Sequence, residues 1–237
     1  MSEISRKNIL VLGGSRGIGA AIVRRFASEG AKVAFTYFGS EAAARTLGQQ
    51  SGAEIVKADS ADRAAQTEAI AARGPLDILI INAGMGIVGD PLSLEPDAVD
   101  RLFDVNLRAP YHAAVEGARH MNADGRIIVI GSVHGDRIPF PGLSAYSLTK
   151  SGLQGMVRGL ARDFGDRRIT VNAIQPGPTD SDMNPADGPM AKAMHSFMAI
   201  KRHAHPEEIA ELVAYVASPH AAMITGSMLT IDGGFGA

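Results

Sequence analysis

Short apolar runs alternate with longer segments of helical pattern along this chain, and that alternation constrains the fold more than any other feature. The first four runs are NILVL, KVAFTY, EIVKA and LDILII, and the segments between them are GIGAAIVRRFASEG, SEAAARTLGQQ and ADRAAQTEAIAAR. Continuous apolar strands separated by helices are typical of βαβ units, in which helices cover both faces of a parallel sheet. Three later runs, GRIIVIGS, ITVNAIQPG and SMLTIDGG, extend the pattern. The sequence therefore predicts an α/β fold of three layers around a seven-stranded, mostly parallel sheet.

The length and composition of the chain favour one domain that handles small molecules. No linker rich in proline, glycine or serine divides the 237 residues, so we expect a single domain over residues 1–237. A formal net charge of -2 gives no basic surplus for holding a nucleic acid polymer. With 0 cysteines, the chain has no disulfide, thiolate metal site or cysteine nucleophile, which suits a reducing compartment.

The N-terminal stretch MSEISRKNILVLGG bears on localisation, because its apolar run is too short for the core of a signal peptide. No other run approaches the roughly 20 apolar residues that span a bilayer. We therefore expect a cytoplasmic protein without a membrane partner.

A long segment rich in proline and methionine separates the sixth predicted strand from the last predicted helix. It reads PTDSDMNPADGPMAKAMHSFMAIKRHAHP. Irregular segments of this length in compact domains are usually functional or mobile, and this one leaves the carboxyl end of a parallel strand, where open α/β sheets bind ligands. We expect a lid over an apolar ligand at about residues 181–205; the alternative is a surface loop packed by flexible methionine side chains.

The turn VLGGSRGIG places Gly13, Gly17 and Gly19 directly after the first strand and at the start of the first helix. Glycines there permit a tight turn and let the backbone N–H groups of a helix N-terminus approach a pyrophosphate. The alternative is a turn that only packs the helix on the strand. We interpret the motif as a dinucleotide-binding turn.

The end of the second strand indicates which dinucleotide is bound. An acidic residue there would hold the ribose 2′-hydroxyl of NAD, but the run TYFGS supplies Tyr37, Gly39 and Ser40 instead. Arg16 lies within the glycine turn, where it can reach a 2′-phosphate, although it could equally be a solvated arginine. The pattern favours NADP (NADPH) over NAD.

Tyr146 and Lys150 form a Tyr-x-x-x-Lys pair in a chain with only 4 tyrosines. Residues at i and i+4 share one face of a helix, so the ammonium group of Lys150 is expected to lower the phenol pKa from its reference value of about 10. Tyr146 would then serve as a general acid in reduction and a general base in oxidation. Ser132 ends the run RIIVIGS and is placed to hydrogen-bond the reacting carbonyl oxygen.

Taken together, these motifs resemble the short-chain dehydrogenase/reductase family over nearly the whole chain. The resemblance is carried by GGSRGIG, NAG at residues 82–84, YSLTK, QPG at residues 175–177 and the closing ITGSMLTIDGG. It implies a Rossmann-type fold, a nicotinamide cofactor and a catalytic tetrad. The tetrad maps onto Asn106, Ser132, Tyr146 and Lys150. The cofactor-binding positions implied are Gly13, Ser15, Arg16, Gly17, Ile18, Gly19, Tyr37, Gly39, Ser40, Asp59, Ser60, Asn82, Ala83, Gly84, Tyr146, Lys150, Pro176, Gly177, Thr179 and Ser181.

The same resemblance implies roles for individual residues, and this chain differs from the family pattern at some positions. It implies that Asp59 approaches the adenine, Asn82 borders the cofactor ribose and Lys150 holds the nicotinamide ribose. Asp59 could instead cap the helix that follows ADSAD. Leu12 stands where the family usually has threonine, so a hydroxyl contact near the glycine turn is lost. Ser181 also departs from the family pattern but keeps a hydroxyl that could reach the nicotinamide carboxamide.

Asn106 precedes Pro110 by four residues in the helical stretch FDVNLRAPYH. Proline has no N–H, so the carbonyl of Asn106 loses its helical partner. In the resembled family this asparagine positions a water in a proton relay towards the lysine. We therefore predict a local helix break at Asn106 with a bound water; the alternative is a kink without function.

The loop SVHGDRIPFPG between Ser132 and Tyr146 carries polar groups that we expect near the substrate mouth. His134, Asp136 and Arg137 are the first candidates for substrate selectivity. Their alternative role is that of ordinary exposed loop residues.

The 7 histidines do not form a recognisable metal site. His195, His203 and His205 lie in or near the predicted lid, but their spacing matches no compact ligand motif. We expect solvated histidines and no metal.

The resemblance implies an NADP-dependent oxidoreductase that reduces a carbonyl or oxidises an alcohol, similar to 3-oxoacyl carrier-protein reductases. The family also implies a homo-oligomer, often a tetramer. The runs GGSRGIGAAIVRRF, NPADGPM, HSFMAIKRH and TIDGGFGA carry a second resemblance, to a cyclic di-GMP-binding member of the family that promotes biofilm dispersal. That resemblance implies a ligand-binding role instead. Arg158 and Arg162 share a helical face and could hold such a ligand, or be a solvated flank. The dinucleotide cleft is the other place where its phosphates could bind.

Overall fold

The computed structural model describes residues 4–237; residues 1–3, which begin the N-terminal stretch assessed for a signal peptide, lie outside the described residues. The strands are β1 (Asn8–Leu12), β2 (Lys32–Tyr37), β3 (Glu54–Lys57), β4 (Leu76–Ile81), β5 (Met121–Ile130), β6 (Thr170–Pro176) and β7 (Met228–Ile231). The α-helices are α1 (Gly17–Ser28), α2 (Glu41–Ser51), α3 (Arg63–Ala71), α4 (Pro96–Phe103), α5 (Ala109–Arg119), α6 (Ser144–Asp163), α7 (Ala191–Phe197) and α8 (Pro206–Ala217). Within residues 4–237, no helix is long and apolar enough to cross a membrane.

The seven strands form one sheet in the order β3-β2-β1-β4-β5-β6-β7, and every neighbouring pair is parallel. The predicted α/β fold with a seven-stranded sheet is confirmed. The chain runs from β1 outward to β3 and then returns to the other side of β1 with β4. This reversal makes the carboxyl ends of β1 and β4 the switch point at which open α/β sheets bind their ligands.

Alternate side chains of β1 enter two separate apolar cores, one on each face of the sheet. Ile9 and Val11 are fully buried in the core that also contains residues of α1 and α8. Leu10 and Leu12 are buried in the core shared with α5 and α6. Since each such side chain stabilises the fold by roughly 1.5–3 kcal/mol when removed from water, β1 is fixed from both sides. The glycine turn that follows β1 therefore starts from a rigid strand.

The helical region that contains Asn106 and Pro110 is interrupted. A π-helical turn over Asp104–Arg108 separates α4 from α5. Pro110 lies in the first turn of α5 and has no N–H to donate to Asn106, which explains the change of register. The predicted helix break at Asn106 is confirmed, while the bound water stays a prediction.

A small third apolar cluster lies beyond the carboxyl end of β5. Its buried members are Val133, Met198 and Phe235, and Phe140 and Met194 pack against them. These residues come from the loop after β5, from α7 with the residue after it, and from the C-terminal tail. The segment between β6 and α8 is therefore packed against the body of the protein and is not a detached loop.

Candidate active site

A cavity of about 950 Å³ opens over the carboxyl ends of the strands. Of the expected cofactor-binding positions, Gly19 and Gly39 do not line it; all the others do. Ser132, Tyr146 and Lys150 line it as well, whereas Asn106 lies behind the wall. The structure therefore brings three of the four tetrad residues and nearly all of the dinucleotide positions to one cavity.

The glycine turn is shaped by backbone conformation and by close packing. Gly13 and Gly17 adopt positive φ angles of 78° and 52°, which favour glycine. A Cβ atom at Gly19 would overlap the carbonyl oxygen of Gly13 and lie 2.6 Å from Nδ2 of Asn82. Nδ2 of Asn82 donates to the Gly13 carbonyl at 2.7 Å, and Oγ1 of Thr36 accepts from the Gly13 N–H at 2.9 Å. A hydroxyl beside the turn thus comes from β2, although the chain has no threonine at position 12.

Polar side chains gather where the turn meets the end of β2. The hydroxyl oxygens of Ser15 and Ser40 are 2.7 Å apart. Arg16 lies beside them and forms an ion pair with Asp182, with Nη1 2.7 Å from Oδ2. The three residues directly after Tyr37, which ends β2, are Phe38, Gly39 and Ser40, and none carries a carboxylate. This end of the cavity therefore offers hydroxyl and guanidinium groups to an anion.

Asp59, at the end of β3, is held by a residue that sequence reasoning missed. Nη2 of Arg101 donates to both carboxylate oxygens of Asp59 at 2.8 Å, and the N–H of Ala61 donates to Oδ1 at 3.0 Å. The cap of α3 is Asp62, which accepts from the N–H groups of two residues in the helix. The alternative role of Asp59 as the cap is therefore wrong. No spacing in the sequence links Arg101 to Asp59, because they meet only through the fold.

Tyr146 and Lys150 face each other on the first turns of α6. Nζ of Lys150 lies 5.7 Å from the centroid of the Tyr146 ring and donates to the carbonyl of Ile130 at 3.2 Å. Burial lowers the pKa of Lys150 to about 8. Burial also raises the pKa of Tyr146, and a hydrogen bond with Ser132 opposes that rise. The expected net lowering of the Tyr146 pKa is wrong, since loss of water is the dominant influence on this phenol as it is on Lys150.

Ser132 is held at the end of β5 by bonds to both sides. Its hydroxyl accepts from the N–H of His134 at 3.1 Å, and its carbonyl accepts from Nε2 of Gln175 at 3.1 Å. Since Gln175 belongs to β6, two neighbouring strands fix the position of the serine.

Asn106 uses its side chain to join the loop after β4 to α6. Oδ1 accepts from the N–H of Met85 at 2.9 Å, and Nδ2 donates to the Met85 carbonyl at 2.8 Å. Nδ2 also lies 3.3 Å from Oγ1 of Thr149, which donates to the carbonyl of Tyr146 at 2.7 Å. Asn106 thereby supports the geometry around Tyr146 and Lys150 without lining the cavity.

Of the three loop residues expected at the substrate mouth, one lines the cavity. His134 does so, and burial lowers its pKa. Asp136 accepts from Nε2 of Gln154 at 2.7 Å and from Nε2 of Gln175 at 2.6 Å, so it anchors the loop. Arg137 donates to the carbonyls of Phe235 and Ala237 at 2.6 and 2.8 Å and ties down the C-terminal tail. The expected placement of Asp136 and Arg137 at the substrate mouth is wrong.

Aromatic side chains form a wall beside the proposed acid-base residues. The ring centroid of His134 lies 6.2 Å from that of Tyr146, 6.0 Å from that of Phe140 and 5.6 Å from that of Phe235. Phe197 of α7 continues the chain of edge and tilted contacts. Sequence reasoning missed these phenylalanines, since they come from three distant parts of the chain. It also missed other apolar residues that line the cavity, among them Met85, Ile87, Val88, Pro141 and Leu143.

The segment over residues 181–205 contributes one wall of the cavity, through Ser181, Asp182, Met183, Asn184, Met190 and Met194. A bridge between Thr179, just before the segment, and Ala204, near its end, closes the segment at its base. Nε2 of His195 lies 2.7 Å from Nδ1 of His203, so these histidines bond each other. His203 is buried, so the expectation of a solvated histidine is wrong at this position. Across residues 4–237, no group of three or more His, Asp or Glu side chains is placed to hold a metal ion. Arg158 and Arg162 are exposed on α6, away from the cavity lining.

Comparison with known proteins places this geometry among characterised relatives. A family model described as enoyl-(acyl carrier protein) reductase matches residues 13–236. The chain is 58% identical over 237 residues to the cyclic-di-GMP-binding biofilm dispersal mediator protein of Escherichia coli strain K12, with 100% of both chains covered. It is 34% identical to the 3-oxoacyl-[acyl-carrier-protein] reductase MabA of Mycobacterium tuberculosis, covering 97% of this chain and 93% of MabA. The crystal structure of BdcA in complex with NADPH matches with a TM-score of 0.98 and 58% identity, over 100% of this chain and 97% of that one.

Proposed function

The chain belongs to the short-chain dehydrogenase/reductase family, and on that premise we propose that it reduces a carbonyl, or oxidises the corresponding alcohol, with NADP as hydride carrier. The observation that carries the proposal is the convergence of Ser132, Tyr146 and Lys150 on the cavity that the glycine turn also lines. Fold alone does not establish activity, but this constellation of side chains supplies the acid-base groups that carbonyl reduction needs. The activity is similar to that of 3-oxoacyl carrier-protein reductases.

The residues of the cavity fit NADP. The positive φ angles at Gly13 and Gly17 open the start of α1 to a pyrophosphate, whose charge the helix N-terminus favours. Arg16, with Ser15 and Ser40, offers donors for a 2′-phosphate, and the three residues directly after β2 include no acidic side chain to hold a free 2′-hydroxyl. The NADPH complex of BdcA, 58% identical to this chain, supports the same choice. When bound, the nicotinamide gives or takes the hydride.

The proposed roles of the tetrad follow from the protonation states that burial imposes. Burial raises the pKa of Tyr146, so the phenol keeps its proton at neutral pH and can donate it to the oxygen of a carbonyl being reduced. Ser132 hydrogen-bonds the same oxygen and aligns it. Lys150, with its pKa lowered to about 8, is mostly an ammonium at neutral pH and stabilises the phenolate that remains. Asn106 is a positioning residue for this pair, with the bound water of the relay still a prediction.

We extend the proposal to the organisation of the protein. Residues 1–237 form one domain, and residues 181–205 act as a lid over an apolar substrate, supported by the three methionines that this segment places in the cavity. The protein is a homotetramer. Light scattering that gives the mass of a single chain would disprove this. The absence of cysteine suits the cytoplasm as its compartment.

Calorimetric titration with NADPH and NADH, followed by turnover of a carbonyl panel, tests the main proposal. We expect saturable NADPH binding that is tighter than NADH binding, and NADPH consumption with at least one uncharged ketone or 3-oxoacyl thioester. A protein that binds neither nucleotide disproves it.

We propose a second function, the binding of cyclic di-GMP, because the Escherichia coli relative described as a cyclic-di-GMP-binding biofilm dispersal mediator is 58% identical over the full chain. Such a ligand has two phosphates and two guanines. The cavity offers a phosphate-binding turn and, at Asp59 and Arg101, a carboxylate beside a guanidinium, groups that can hydrogen-bond a guanine edge. Since Arg158 and Arg162 lie outside the cavity, the dinucleotide cleft is the better site.

A competition experiment tests the second function. Cyclic di-GMP is titrated into the protein alone and into the protein saturated with NADPH. Overlap at the cleft predicts that NADPH abolishes the binding. Independent saturable binding of both ligands excludes the cleft, and the absence of any cyclic di-GMP binding excludes the function.

A further inference from the structure

The mouth of the cofactor cleft is crossed by an ion pair between Arg16 and Asp182. Nη1 of Arg16 lies 2.7 Å from Oδ2 of Asp182, and the two side chains are 58% and 71% exposed. Arg16 precedes the first residue of α1, and Asp182 lies on the segment that follows β6. The pair therefore joins the glycine turn to the proposed lid.

Arg16 is also the cation that a 2′-phosphate would need. Among the described residues that line the cavity, the arginines and lysines are Arg16, Arg101 and Lys150. Arg101 is engaged by both carboxylate oxygens of Asp59, and Lys150 donates to the carbonyl of Ile130 beneath the tetrad. Of these three cations, only Arg16 is placed to neutralise a phosphate next to the end of β2. Arg16 already has an anionic partner in Asp182.

We propose that Asp182 competes with the 2′-phosphate of NADP for Arg16, so that NADP exchanges one anion for the other and releases the lid from the glycine turn, whereas NAD leaves the ion pair in place. The inference rests on the proposed function, because it concerns the cofactor of that site. A carboxylate and a phosphate on one guanidinium repel each other, which favours exchange over joint binding. Since both side chains are exposed, water weakens the pair and the effect is modest.

Calorimetry on four proteins tests the competition: the wild type, Asp182→Asn, Arg16→Gln and the double variant. We expect Asp182→Asn to bind NADPH about two- to fivefold more tightly and NADH with unchanged affinity. Arg16→Gln weakens NADPH binding, and adding Asp182→Asn to it produces no further gain, because the group competed for is gone. Asp187→Asn, which removes an exposed carboxylate from the same segment, leaves both affinities unchanged and controls for net charge.

Amide hydrogen exchange over residues 181–185 supplies a readout that is independent of affinity. Exchange is expected to be faster in the NADPH complex than in the NADH complex of the wild type, with the difference absent in Asp182→Asn. Equal exchange in the two wild-type complexes, or NADPH binding that Asp182→Asn leaves unchanged or weakens, overturns the competition while the NADP-dependent function stands. A wild type that binds neither nucleotide overturns both.

Discussion

The two halves of the cavity are built in different ways. The dinucleotide half, around the glycine turn and the ends of β2 and β3, is determined by backbone geometry: Gly13 turns with positive φ, and Asn82 donates to its carbonyl at 2.7 Å. The substrate half, around residues 133–143 and 181–205, is determined by side chains packed ring against ring. His134 and Phe235 are 5.6 Å apart, and Phe197 and Phe235 are 5.9 Å apart.

This difference predicts how each half responds to change. A backbone cradle has no spare room, so an added methyl group must displace main-chain atoms. A wall of methionine and aromatic side chains can repack around a lost or altered neighbour at smaller cost. The first half therefore specifies one cofactor, while the second admits a range of substrates. Tyr146 and Lys150 lie on α6 at the boundary between them.

The largest effect is expected at that boundary, from Tyr146→Phe. Loss of the phenol proton removes the general acid and should lower kcat by about 10²- to 10⁴-fold. NADPH affinity, which belongs to the dinucleotide half, should stay within about twofold, because no contact of the glycine turn is altered. Steady-state kinetics and calorimetry on the same preparation check both. Retained turnover in the variant would remove Tyr146 from the proposed chemistry.

Lys150→Met tests how much the buried charge of Lys150 lowers the free energy of unfolding. Because burial lowers the pKa of Lys150 from 10.5 to about 8, the unfolded chain binds more protons between these values, and the free energy of unfolding of the wild type should rise as pH increases through that window. The change approaches about 3 kcal/mol for a shift of this size. At pH 7 Lys150→Met should therefore have a larger free energy of unfolding than the wild type. This difference should shrink by pH 10, where the buried lysine of the wild type is neutral.

Urea unfolding at both pH values measures that advantage. Lys192→Met, at an exposed position on α7, is the matched control and should show the same difference from wild type at pH 7 and pH 10. If Lys150→Met behaves like the control, the charge of Lys150 is not penalised by burial.

The division between the halves also explains which features the sequence could predict. Gly13, Gly17 and Asn82 act through the backbone at fixed offsets from a strand, so a local pattern identifies them. The fold was predictable for the same reason, since the apolar runs each encode one strand of the sheet. Arg101 and Phe235 are different, because they meet Asp59 and His134 only after distant segments pack together. The direction of the pKa of Tyr146 was also missed, since burial is a property of the folded state.

Gly19→Ala tests the rigidity of the dinucleotide half. The added Cβ would overlap the Gly13 carbonyl and crowd Asn82, and overpacking of this kind costs about 1–3 kcal/mol. A cost of that size in the NADPH-binding conformation of the turn corresponds to about a 5- to 150-fold loss of NADPH affinity. Gly159→Ala is the control, since a Cβ there meets nothing within 4 Å and should stabilise α6 by up to about 1 kcal/mol. NADPH titration and thermal unfolding of both variants check the pair. Unchanged affinity in Gly19→Ala would show that the turn can relax.

The smallest effects should come from removing one ring in each half. Phe140 lines the substrate half and contacts His134 with ring centroids 6.0 Å apart, whereas Phe38 lines the cavity at the end of β2 and is 59% exposed. Phe140→Ala should raise KM for a bulky ketone about two- to tenfold and leave the Kd of NADPH unchanged, in line with the 0.5–1.5 kcal/mol of an aromatic contact. Phe38→Ala should raise the Kd of NADPH by a similar factor and leave the KM of the ketone unchanged. If each variant shifts both constants equally, the cavity responds as one unit, and the separation of a backbone-determined half from a side-chain-determined half fails.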